Sequence, residues 1–374
     1  MFETNRERLL QAMPAGSWAV FECGAPKAIT GDTNYLFSPN RNFYYLTGLD
    51  EPECKVLFVA GQEPVLYIRR PDPVKARWLG ENLSKGAAMV LSGMKDVRYL
   101  DEFPEQLAGY ALSEAEKDAL LTRLRLVKDE WEILRIQEAI RITAEGIAAV
   151  ASHLKPGMIE YEAEAYFDYV LKKNGVRLPA FTTIMAGGPH SCVLHYEDND
   201  SRLMAGDLLL MDCGATAGYY SGDITRTFPV SGKFTDRQRA FYDIVLEGNE
   251  RIIDAAEPGV TLRELNERLR AFYREALGAM GMVRTDEDLN EYYFHGVSHF
   301  LGLNTHDVGD REVVLEPGMV LTVEPGLYIA KEDIGIRIED DVLVTDYGSA
   351  VLTDACPKTV EEVEAMVGTA YAGK

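Results

Sequence analysis

The chain has 374 residues, 47% of them hydrophobic and 26% charged, which is enough for two domains each with its own core. Lys and Arg number 38 against 60 Asp and Glu, a formal charge of -22 with no basic block, so nucleic acid is not an expected partner. No stretch approaches the roughly 18 apolar residues of a membrane span, and the five cysteines are scattered without a CxxC, so reduced thiols, a cytoplasmic location and no membrane partner are expected.

From the N-terminus, "NRERLLQAM" and "PVKARWLGENL" read as helices, and "WAVFE", "KVLFVA" and "PVLYIRR" as strands, giving a small α/β region. It contains no cluster of histidines or carboxylates at ligand spacing, so its role is packing, assembly or shaping the mouth of a site. A charged helical stretch, "SEAEKDALLTRLRLVKDEWEILRIQEA", leads into a second domain whose first long helix begins near Lys128. The domains are expected at 1–122 and 123–374.

The second domain carries a diverged internal duplication. "LKPGMIEYEAEAYFDYVLKKNG" (154–175) has the layout of "AEPGVTLRELNERLRAFYREALG" (256–278): a Pro-Gly turn, a capping step, a helix and a glycine near its end. "LMAGDLLLMDCG" (203–214) aligns without a gap to "LEPGMVLTVEPG" (315–326), and this carries Asp212 onto Glu324. The same offset takes His195 to Asp307, beside His306, and Asp223 to Gly335, four residues short of Glu339. Two such halves packed about a pseudo-twofold axis would bring their strand-borne acids together.

Those acids sit where ions are costly. Asp212 follows "DLLLM", Glu324 follows "MVLTV", and Asp223 and Glu339 border apolar runs. The nearby bases, Arg226 and Arg337, are too few to neutralise them. Four carboxylates with a histidine make a hard, oxygen-rich set suited to two divalent ions, which can share carboxylates and a bridging hydroxide, so hydrolysis is the reaction to expect. "HGVSHFLGLNTHD" (295–307) holds three of the six histidines. His295 and His299 are four apart, and the flanking glycines favour a twisted strand, so one could ligate metal while the other faces the substrate cleft. His153 and His190 are not expected as ligands, "AGGP" (186–189) reads as a turn, and Cys213 reads as packing. The Tyr328 hydroxyl either reaches the site or packs.

"MDCGATAGYYSGDITRTF", "HGVSHFLGLNTHD", "LTVEPGLY" and "GIRIEDDVLVT" together resemble the metallopeptidase family that includes methionine aminopeptidase, aminopeptidase P and Xaa-Pro dipeptidase, over residues 130 to 365. The resemblance implies an α/β (α+β) chain with a duplicated "pita-bread" catalytic domain. It further implies Asp212, Asp223, His299, Glu324 and Glu339 as metal ligands, with His195, His295 and His306 lining the site. Arg337 resembles the arginine of proline-specific members. "SPNRNFYYLTGLDEPECKVLFVA" and "RRPDPVKARWLG" are similar to the accessory domain of the aminopeptidase P and prolidase branch, although Asn42 stands where an acid precedes the aromatic pair.

By the same resemblance, the activity to expect is that of a metal-dependent aminopeptidase releasing the residue before a proline from short peptides. Xaa-Pro dipeptidase is the alternative, and a non-catalytic binding protein a remote one. Glu324 would carry the proton, and His195 and His306 would face the developing oxyanion. Two divalent ions per chain are expected, Mn2+ first and Co2+ or Zn2+ as substitutes. The accessory domain leads us to expect a homodimer or homotetramer.

Overall fold

A computed structural model describes residues 2–371. It divides into two units, Met1–Arg125 and Leu126–Lys374, the division falling three residues after the junction expected at 122/123.

The first unit runs α1 (Phe2–Ala12), β1 (Ser17–Glu22), α2 (Arg41–Thr47), β2 (Lys55–Val59), β3 (Val65–Ile68), α3 (Pro73–Leu79), α4 (Lys85–Ser92), β4 (Asp96–Tyr99), β5 (Tyr110–Ala111) and α5 (Glu114–Leu126). Its sheet has the order β4-β3-β2-β1-β5, with β1–β2 and β2–β3 antiparallel and the two outer pairs parallel. The three expected strands and the first helix form. The helix expected across "PVKARWLGENL" stops at Leu79 because Gly80 turns to φ 87°. Arg6, buried on α1, donates to the carbonyls of Leu46 and Ser92, so one guanidinium satisfies the last turns of α2 and α4. Asn42 is tied within this unit, accepting from Arg125 Nη1 at 2.7 Å.

The charged stretch after Ser113 is not one helix. Lys128 N–H is drawn to Gly318 O at 2.9 Å, and Asp129 then caps α6 (Glu130–His153) by accepting from Glu132 N. Next come α7 (Glu160–Lys173), β6 (Ile184–Gly187), β7 (Leu208–Cys213), β8 (Thr216–Ala217), β9 (Tyr220–Ser221) and β10 (Ile224–Pro229). The second half has α8 (Asp236–Ala255), α9 (Leu262–Ala279), α10 (Asp286–Leu289), β11 (Val320–Val323), β12 (Gly326–Ile329), β13 (Ile334–Arg337), β14 (Asp340–Thr345), β15 (Gly348–Val351) and α11 (Val360–Met366). Of "AGGP", Ala186 and Gly187 close β6, and only Gly188 and Pro189 enter a 3-10 turn, a correction to the reading of the whole stretch as a turn.

The duplication is written into the backbone. Gly157 N–H donates to Leu203 O and Leu203 N–H to Met158 O, both at 2.8 Å; Gly259 donates to Leu315 O and Leu315 to Val260 O at 2.9 and 2.8 Å. Glu162 returns to the N–H of Ile159, and Glu264 to that of Thr261, so α7 and α9 start in the same way. On α9, Leu262, Leu265, Leu269, Tyr273 and Leu277 recur every three or four residues and bury one face. In the first half β7 pairs antiparallel with β10 and β6; in the second β11 pairs antiparallel with β14. All of these strands except β6 begin or end beside one of the sequence-derived acids.

Candidate metal centre

Asp212 lies on β7, and Asp223 immediately precedes β10. Glu324 follows β11. Glu339 sits where the chain leaves β13, paired with β12, and enters β14, paired with β11. The crossing turns its side chain inward, where Thr225 Oγ1 donates to Oε2 at 2.7 Å and Thr225 O accepts from its backbone N–H at 3.0 Å. A cavity of about 460 Å³ is lined by all four acids together with His195, His295, His299, His306 and Arg337, every candidate named from sequence.

His295 and His299 do not lie on a regular strand. Residues 295–299 are extended but irregular, and they run beside β11 through Glu324 N to Val297 O and Thr322 N to His299 O, each 2.9 Å. Their own N–H groups do not complete a ladder: that of His299 goes to the Thr322 hydroxyl at 3.2 Å. This departs from the expected strand. It still aims both rings into the cavity.

Tautomers follow from the acceptors. His299 Nδ1 faces Phe300 O at 3.1 Å and donates to it, so in the neutral ring Nε2 presents a lone pair 3.5 Å from Asp223 Oδ2 and 3.8 Å from Glu324 Oε1. Acceptors facing acceptors need a proton or a metal ion between them. Ligand atoms of Asp223, His299 and Glu339 all lie within 4.8 Å of one another, and Asp212 Oδ1 is buried with no hydrogen-bond partner among the described residues. The donor set therefore fits hard divalent cations, with the trio at its centre and Asp212 and Glu324 on the same wall.

Electrostatics say the same. Burial, then Glu339 and Asp212, pushes the Asp223 carboxyl well above the usual carboxylate range; burial and Glu339 do so for Glu324; burial and Asp212 push Glu339 up to about 7. Without positive charge these acids cannot all ionise.

Arg337, buried at the floor of the cavity, donates through Nη2 to Asp212, through Nη1 to Tyr328 Oη (3.0 Å) and through Nε to Thr225 Oγ1 (3.1 Å). Tyr328 donates in turn to His295 Nε2 at 3.0 Å, and His295 Nδ1 donates to Gly296 O at 2.7 Å. Both ring nitrogens of His295 are thus engaged, and burial and Arg337 hold its pKa down at about 4, so it stays neutral. Tyr328 packs in the core outside the cavity lining and reaches the site residues through its hydroxyl. His306 lies against His299, ring centroids 4.2 Å apart, and burial and His299 lower its pKa. His195 stands exposed on the opposite loop, at the cavity wall.

Arg226 does not join the set. All its donors go elsewhere, including Asp340 Oδ1 at 2.8 Å. The residues that pattern did not reveal are Thr225, which links Arg337 to Glu339, and Asp341, fully buried, whose Oδ2 accepts from Asp223 N at 3.0 Å. A buried acid two residues beyond Glu339 on an apolar strand is a signal, but one that looks the same as its neighbours. His153 stacks on Tyr166 and His190 on Tyr196, both outside the cavity lining.

Residues 135–346 match metallopeptidase family M24, and residues 2–119 match the aminopeptidase P N-terminal domain. A Xaa-Pro aminopeptidase of Haemophilus influenzae is 33% identical over 97% of this chain and 96% of its own length. The human Xaa-Pro dipeptidase is 30% identical, over 98% and 92%. Among solved structures, aminopeptidase P from E. coli with the inhibitor Pro-Leu superposes with a TM-score of 0.91 at 31% identity, covering 99% of this chain and 98% of that one. With its duplicated halves and its carboxylate and histidine cavity, the chain belongs to metallopeptidase family M24 and carries the aminopeptidase P N-terminal domain.

Proposed function

We propose that this Xaa-Pro aminopeptidase holds two divalent ions on Asp212, Asp223, His299, Glu324 and Glu339, with Mn2+ the expected ion and Co2+ or Zn2+ able to substitute. The observation that carries the reading is the convergence of ligand atoms of Asp223, His299 and Glu339, all within 4.8 Å of one another, in a cavity that Asp212 and Glu324 also line. When bound, the ions supply an activated water and polarise the scissile carbonyl.

The chain's own groups supply the rest. Glu324, at the cavity lining beside His299, would accept a proton from the nucleophile and return it to the leaving proline nitrogen. His195 and His306, at the cavity wall, donate hydrogen bonds to the oxygen that gains charge. Arg337 fixes Asp212 and, through Tyr328, keeps His295 in one tautomer. Phe181, Ile184 and Leu194 form an apolar wall that accepts the proline ring.

A strict dipeptidase would need a cation for the free carboxylate of its terminal proline. Arg337 is committed to Asp212, Tyr328 and Thr225, which supports the aminopeptidase reading over that alternative. The complete donor set argues against a non-catalytic binding protein. Assembly as a homodimer or homotetramer is supported by the first unit, where Val74, Trp78 and Leu79 on α3 and Val90 and Leu91 on α4 are exposed. Among the described residues no helix is long and apolar enough to cross a membrane, which accords with a cytoplasmic enzyme.

Steady-state hydrolysis of Ala-Pro, Ala-Pro-Ala, Ala-Ala-Ala and Met-Ala-Ala, after metal removal and Mn2+ reconstitution, tests the reading. Turnover of Ala-Pro-Ala at or above Ala-Pro is expected. Preference for Ala-Pro with little tripeptide turnover would make it a dipeptidase, and activity on neither proline substrate would end the proline assignment.

A further inference from the structure

We propose that Glu197 reads a cationic side chain on the bound peptide, so that substrates with Arg or Lys among their first three residues are preferred. The proposal rests on the aminopeptidase reading of the cavity and adds a substrate class to it.

Residues 193–199 form one wall of that cavity, with Leu194, His195 and Glu197 on the lining. The intervening residues are anchored inward. Tyr196 is 7% exposed; its hydroxyl donates to Glu160 Oε2 at 2.8 Å, and its ring stacks on His190 at 4.2 Å. Asn199 is 3% exposed; its Oδ1 accepts from Met185 N at 2.9 Å, and its Nδ2 donates to Thr183 O and Glu164 at 2.9 and 3.0 Å. Glu160, fully buried at the start of α7, also accepts from Gly187 N and Ser201 N, each 2.8 Å, and so clamps the segment on both sides. The backbone that carries Glu197 is therefore held by buried hydrogen bonds.

Glu197 itself is exposed and makes no hydrogen bond or ion pair with any described residue. Among the described residues, Glu197 is the one cavity-lining carboxylate outside the donor set formed by Asp212, Asp223, Glu324 and Glu339, and Glu160 behind the segment is matched by backbone and tyrosine donors. An unmatched carboxylate is ordinary on an open surface. On a cavity wall whose backbone is held by buried hydrogen bonds, two residues from the cavity-lining His195, it is complementary to a positive group that arrives with the substrate. The chain-wide charge of -22 would draw cationic peptides in a general way, but removing one acid of 60 barely changes that field. A local reader is thus separable from the global one.

The test measures kcat/KM for Ala-Pro-Ala, Arg-Pro-Ala, Ala-Pro-Arg, Glu-Pro-Ala and Ala-Ala-Ala with Mn2+-loaded full-length protein and with Glu197→Gln and Glu197→Asp. At least one arginine peptide is expected to exceed Ala-Pro-Ala by about fivefold. That ratio should fall to near one in Glu197→Gln and be partly kept in Glu197→Asp. An arginine preference absent from the parent, or unchanged in Glu197→Gln, overturns the proposal. The ratio of Ala-Pro-Ala to Ala-Ala-Ala in the parent tests the proline reading separately.

Discussion

Glu339 and Asp340 are adjacent, equally buried, and opposite in their electrostatics. Burial alone would raise Asp340, but Arg226 and Lys358 outweigh it, holding the carboxyl down at about 2. Its oxygens accept from Arg226 (2.8 Å), Thr353 (2.7 Å) and Lys358 (2.7 Å). Glu339, across the same peptide bond, faces Asp212 and other acids and is pushed up to about 7. The chain neutralises one acid permanently and leaves the other wanting a cation. Where a fold provides its own counter-charge the acid is structural, and where it withholds one the acid is available to a ligand.

This contrast predicts a double dissociation. Glu339→Gln or Asp223→Asn should lower kcat/KM by more than the roughly 100-fold that loss of an outer partner costs a metal site. The same variants, metal-free, should melt no lower than the metal-free parent, because each removes like-charge repulsion. Asp340→Asn should instead destabilise by about 3 to 5 kcal/mol, since Arg226 is left buried without its partner, and this is read from denaturant unfolding. If Glu339→Gln proves the less stable of the two, the contrast fails.

The pH dependence separates the two acids as well. Between pH about 4.5 and about 7 the folded, metal-free chain keeps a proton on Glu339 that the unfolded chain has released, so metal-free stability falls as pH rises through that window. Asp340 has a depressed folded pKa, so its contribution, on the order of 2 kcal/mol, is fully present above pH about 4 and lost as pH falls toward about 2. Thermal melts of metal-free protein across this range, with and without Asp340→Asn, check both signs. The smallest effect is at Thr225: Thr225→Val removes the link between Arg337 and Glu339 and should weaken metal binding about tenfold, measured with a competing chelator.

Much of the site was legible because an acid embedded in an apolar strand is conspicuous. Asp212 after "DLLLM" and Glu324 after "MVLTV" stand at the cavity, and the duplication that pairs them recurs in matched backbone hydrogen bonds. What periodicity cannot supply is the identity of a strand's partner. Alternation through Ile334, Ile336, Ile338 and Glu339 reads as one strand, but the chain changes partner at Ile338 and Glu339. For the same reason Arg226 and Arg337 looked alike in sequence, although register sends one to Asp340 and the other to Asp212. The glycines around His295 and His299 suggested a strand, whereas the Thr322 hydroxyl takes the bond a ladder would have made.

The most direct test of the central claim is a calorimetric titration of metal-free protein with Mn2+ at pH about 6.5, repeated in buffers of different ionisation enthalpy. Binding of about two ions per chain with net proton release is predicted, because acids that hold protons in the metal-free fold must give them up to become ligands. Binding with no proton release, or no binding by folded protein, would contradict it.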